Sequence, residues 1–88
     1  MLEPNRTDRI ICATKTFQMM CESNDPWACT MFGFNLARGV GTEKDLDRAL
    51  KVLPNGCRLA QDDPACVKAQ RIMSEIEAAL RAEHRPHQ

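Results

Sequence analysis

The chain has 88 residues, enough for one small domain with a modest core. Its 12 basic and 12 acidic side chains cancel, so neither nucleic acid nor an anionic membrane surface exerts a long-range electrostatic pull on it. No stretch approaches the roughly 20 apolar residues that cross a bilayer. The opening Met1-Leu2-Glu3-Pro4-Asn5 is polar and Ile10-Ile11 is too short for a signal-peptide core, so we expect a leader to have been removed or never to have existed.

Residues 1–6 read as an N-terminal arm, because Pro4 and Asn5 disfavour a helix start. Thr7 is the expected N-cap of a first helix, with Asp8 in its first turn at the positive end of the dipole. Ile10, Ala13, Phe17, Met20 and Cys21 then share one face at helical spacing. The run Ser23-Asn24-Asp25-Pro26 ends this helix near Glu22. Asp25 is placed to cap a second helix, with Pro26 at the first position, where a missing N–H costs nothing.

Ala28, Cys29, Phe32, Leu36 and Gly39 mark the buried stripe of that helix. Gly33 lies at its edge; a mid-helix glycine costs about 1 kcal/mol against alanine, so it implies a neighbouring helix in close approach. Gly39 and Gly41 end the helix and supply the positive φ values of a tight turn. A third helix begins around residues 43–45, with Leu46, Ala49, Leu50, Leu53 and Cys57 on one face. Pro54-Asn55-Gly56 interrupts it. A kinked helix that keeps Cys57 inward is expected, and two short helices joined by a turn are the alternative.

Asp62 or Asp63 caps a fourth helix with Pro64 just inside, and Cys66, Ala69, Met73, Ile76 and Leu80 face the core. That helix fades near residues 82–83, leaving 84–88 as a tail. Residues 7–83 therefore form an all-α domain, a short α/α solenoid of about four antiparallel helices.

Five cysteines are far above ordinary usage and favour a disulfide framework in an oxidising compartment. Tyrosine is absent, and a core resting on Leu, Ile, Met, Phe, Ala and Cys benefits from staples. One phrase occurs twice, as Asp25-Pro26-Trp27-Ala28-Cys29 and as Asp63-Pro64-Ala65-Cys66. Cys21 precedes Cys57 by 36 positions and Cys29 precedes Cys66 by 37, a period that marks a helical repeat.

Ala28, Phe32-Gly33, Leu36, Gly39-Val40-Gly41-Thr42, Asp45 and Arg48-Ala49 resemble the Sel1-like repeat, a relative of the tetratricopeptide repeat. Leu36 stands where the family has an aromatic and Thr42 where it has valine. The cysteine placement is similar to that of the cysteine-rich Sel1-like proteins of bacteria. There one cysteine ends the second helix of a repeat and its partner opens the next, which implies the pairs Cys21 with Cys29 and Cys57 with Cys66. Each such pair would reach across one helix reversal, within the short Cβ separation a disulfide needs. A second framework stays open: Cys12-x8-Cys21 and Cys57-x8-Cys66 are similar to twin-Cys helical hairpins of the mitochondrial intermembrane space, although Asp62-Asp63-Pro64 breaks the helix between the latter two. Buried free thiols and a metal are the remaining readings of these four residues, but no Cys-x-x-Cys pair suits zinc.

Cys12 is left over, read as a free, partly buried thiol or as an intermolecular tether. His84 and His87 read as tail residues, and Met19 and Met20 as packing residues. Trp27 is either a cover over the staple or an anchor for a partner. Glu43, Lys44, Asp45, Asp47 and Arg48 read as a solvated face. No Ser/His/Asp set, phosphate loop or carboxylate cleft is present, so neither an enzyme nor a bound cofactor or metal is expected.

The expected function is a non-catalytic adaptor, assembly factor or accessory subunit that packs Trp27, Met31 and Phe34 against a protein partner. The alternatives are the twin-Cys intermembrane-space protein and, from the Sel1-like resemblance, an enzyme or binder of cell-wall precursors or β-lactams. Disulfide use slightly favours the mitochondrial intermembrane space over a periplasmic or secreted location.

Overall fold

A computed structural model describes residues 6–84 and is all-helical over them. The order is α1 (Arg6–Glu22), α2 (Pro26–Arg38), α3 (Leu46–Val52), a 3₁₀ segment (Leu53–Cys57) and α4 (Pro64–His84). The expected arm at 1–5 and tail at 85–88, including His87, lie outside the described residues. Arg6 and His84, assigned to arm and tail, are the first residue of α1 and the last of α4.

Short-range chemistry sets most of the boundaries. Asp25 caps α2, its Oδ1 accepting the Ala28 N–H at 3.2 Å with Pro26 at the first position. Asp45 caps α3 in the same way, accepting the Arg48 N–H at 2.9 Å. Of the two candidates before α4, Asp63 is the cap and accepts the Ala65 N–H at 2.9 Å. Thr7 is not the cap of α1, because the helix already includes Arg6 and Thr7 lies inside it.

The turns are closed by left-handed residues. Asn24, at φ 74°, ends α1, where the Asp25 N–H reaches back to the Met20 carbonyl at 3.1 Å. Gly39 (φ 68°) ends α2, and Gly41 (φ 71°) continues the reversal. The Asp45 N–H then donates to the Leu36 carbonyl at 2.8 Å and pins the loop to α2. Gly39 is exposed, not part of the buried stripe, because it sits past the last packed turn.

Pro54 does not split the third helix. The chain passes from α3 directly into the 3₁₀ segment with no intervening turn. Pro54 has no N–H for an i→i−4 bond, and a tighter winding absorbs the loss. Cys57 stays on the inner side, half-buried.

Among the described elements, helix α2 is the hub, packing on every other one, while α1 packs on α2 alone. The core gathers Phe32, Leu36, Ala49, Leu53, Ala69, Ile72 and Ile76. Ile72 and Ala65 are buried beyond the expected stripe of α4, whereas Met73 and Leu80 only flank it. Gly33 faces Leu53 closely enough that an added Cβ would stand 2.5 Å from its Cδ2.

Ala13 and Met20 are exposed, contrary to the α1 pattern, and Thr14 takes the buried place. The Thr14 hydroxyl donates to the Val40 carbonyl at 2.9 Å and accepts from Asn35 Nδ2 at 3.0 Å. These bonds join α1, α2 and the glycine turn. A second buried hydroxyl, Thr30, donates to the Ala65 carbonyl at 2.8 Å and ties α2 to α4. No buried side-chain nitrogen or oxygen among the described residues lacks a partner, as a sound interior requires.

Candidate functional site

Two covalent staples fix the helices that carry the candidate site. Cys21 at the end of α1 bonds Cys29 in α2 (S–S 2.10 Å), and Cys57 at the end of the 3₁₀ segment bonds Cys66 in α4 (S–S 2.02 Å). Both bonds run across a helix reversal, within each pair. The cross-hairpin bonds of a twin-Cys framework do not form, because Cys57 and Cys66 lie on different elements and face each other. Cys12 is a free thiol and is exposed, not partly buried as expected, because it points away from the strip of α1 that meets α2.

Trp27, Met31 and Phe34 are spaced i, i+4, i+7 along α2 and therefore share one face of it. Trp27 is 47% exposed in the first turn of the helix. Met31 and Phe34 are half-buried. Arg38 and Lys68 hold their cationic groups 5.4 and 5.6 Å from the centroid of the Phe34 ring, within cation–π range. Arg38 also approaches Glu75 of α4 at 3.8 Å. Beside Phe34 a hollow of about 150 Å³ opens between α2 and α4, floored by Leu46, Ile72 and Ile76. The stripe thus runs from an exposed indole to an apolar hollow edged by charge.

A second cleft, of about 290 Å³, lies between α1 and the α3–3₁₀ arm. Cys29 and Phe32 of α2 form its floor. Gln18, Cys21 and Glu22 line the α1 side, and Arg48, Val52 and Asn55 the other. Arg48 lies 5.3 Å over the Phe32 ring, and Arg58 donates a hydrogen bond to Asn24 Oδ1. Arg48 belongs to the run expected to be a solvated face, and nothing in the sequence singles out Arg58. The only local signal was the i, i+4, i+7 spacing of Arg48, Val52 and Asn55. Met19 and Met20, read as packing residues, are exposed and border a shallow hollow with Ser23 and Asp25.

Among the described residues no group of three or more His, Cys, Asp or Glu side chains could hold a metal ion. No described helix is long and apolar enough to cross a membrane. Comparison with known proteins finds no matching family model, curated protein or solved structure.

Proposed function

We propose that this chain is a non-catalytic protein–protein interaction module, an adaptor, assembly factor or accessory subunit of a larger assembly. The observation that carries the reading is the Trp27–Met31–Phe34 stripe on α2. It presents an exposed tryptophan, a residue type favoured in binding hot spots, on the one helix packed against every other element. A side chain on so constrained a helix loses little freedom on binding, which favours affinity. The Sel1-like resemblance agrees with this reading, since helical repeats serve mainly as binding surfaces.

Two disulfides fit an oxidising compartment. Within that class we favour the mitochondrial intermembrane space, with the periplasm or the exterior as the alternative. Photo-crosslinking tests the reading in the chain purified with its native company. A crosslinker in place of Met31 is expected to give a discrete adduct with one partner polypeptide, and the same group at Glu77, exposed on α4, is not. A chain that runs as a monomer and yields no adduct from position 31 contradicts the proposal.

A further inference from the structure

We infer that the cleft between α1 and the α3–3₁₀ arm is a second binding site, which takes an acidic segment of a polypeptide through Arg48 and Arg58. It extends the interaction-module reading and does not depend on the α2 stripe. The cleft stays open because α1 and α3 do not touch. Its two guanidinium groups are positioned before any ligand arrives. Arg48 is laid over the ring of Phe32, a residue only 4% exposed. Arg58 is held by Asn24, itself fixed in the left-handed turn that ends α1.

Neither arginine forms an ion pair among the described residues. Asp45, the cap of α3, accepts the backbone N–H of Arg48. Glu22 lines the same cleft and pairs with neither. A guanidinium keeps several N–H donors in a planar fork that matches a carboxylate. Two such forks lining one cleft suit carboxylates.

The lining of the cleft selects the occupant: two guanidinium groups in one cleft match two carboxylates. Val52, Phe32 and the Cys21–Cys29 bridge line the same cleft, an apolar surface that suits a hydrophobic residue beside the acidic ones.

The test uses the oxidised full chain and a fluorescent peptide of alternating Glu and Leu, read by fluorescence anisotropy. Its Gln-for-Glu counterpart and citrate serve as comparison and competitor. Arg48→Met keeps an aliphatic stem over Phe32, and Arg58→Gln keeps an amide donor for Asn24. Each is expected to weaken binding about tenfold, the size of one lost charge-assisted contact. Glu22→Gln, which removes the one carboxylate lining the cleft, is expected to tighten binding several-fold and keeps the test decisive should an arginine variant misfold. Trp27→Ala leaves the peptide affinity unchanged, so a failure here is separate from a failure of the α2 stripe. Equal binding of the Gln peptide, displacement by equimolar citrate, folded arginine variants with unaltered affinity, or no response to Glu22→Gln each overturns the inference.

Discussion

A methyl group added at Gly33 sets two effects of known size against each other. Alanine is favoured over glycine in a helix interior by about 1 kcal/mol. Here, however, the new Cβ would lie 2.5 Å from Cδ2 and 2.6 Å from Cγ of Leu53. Leu53 is fully buried, and Cγ is the branch point of its side chain, so rotating the methyl ends does not relieve the overlap. Pro54 follows directly and restricts the backbone of Leu53. Overpacking of this kind costs about 1–3 kcal/mol and outweighs the gain in propensity.

We therefore expect Gly33→Ala to destabilise the oxidised protein by about 1 kcal/mol or somewhat more, lowering the melting midpoint by about 5–10 °C. Thermal and urea unfolding followed by far-ultraviolet circular dichroism measure both. Leu53→Ala alone should cost about 2–5 kcal/mol through its cavity. In the double variant the new methyl enters space that Leu53 vacates, so the combined loss falls short of the sum by about 1 kcal/mol. A stabilising Gly33→Ala, or strict additivity, would refute the close approach of α2 to Leu53.

Thr14→Val removes the hydroxyl that satisfies both the Val40 carbonyl and the Asn35 amide; a loss of about 1–3 kcal/mol is expected in urea unfolding, and a change below 0.5 kcal/mol, roughly the surface-substitution range, contradicts the buried network. Replacing Cys57 and Cys66 together by serine opens a loop of nine positions and should cost about 2.6 kcal/mol by chain entropy, with an unchanged unfolding midpoint as the contrary result. Glu75→Gln breaks the Arg38 pair, whose side chains are 61% and 57% exposed. It should shift stability by less than about 0.5 kcal/mol, and a larger loss by the same assay means the pair is structural.

Residues governed by local rules were legible in the sequence. Asp25 caps α2 as expected and Asp63 is the one of two candidates that caps α4, because a short acceptor before an apolar run does so in almost any context; the same role of Asp45, expected only on a solvated face, appears in the structure. Gly39 and Gly41 turn the chain because positive φ excludes most side chains. Gly33 announced a close approach, though not that Leu53 makes it.

What escaped depends on contacts distant in sequence. Thr14 broke the apolar pattern of α1, and its burial follows from a carbonyl 26 positions away. Ala13 and Met20 joined that pattern by polarity alone, yet α2 is the one described helix that α1 packs against, and α1 buries a narrow strip. The stripe of α4 moved toward Ile72 because Ala65 and Cys66 are drawn inward at its start. For the candidate site, Trp27, Met31 and Phe34 are singled out by their apolar character, and their shared face appears once α2 is known to run from Pro26 to Arg38. The arginine cleft was not legible, since it exists only where α1 and α3 stand apart over α2.

The disulfide pattern tests the architecture most directly. The native chain is alkylated with iodoacetamide, then digested without reduction by trypsin, which cuts after Lys15, Arg38 and Arg58, and by a glutamyl endopeptidase, which cuts after Glu22. The structure requires a labelled Cys12, residues 16–22 joined to 23–38 through Cys21–Cys29, and a peptide ending at Arg58 joined to one beginning at Leu59 through Cys57–Cys66. Peptides linking Cys12 or Cys21 to Cys57 or Cys66 would contradict it and restore the twin-Cys hairpin in its place.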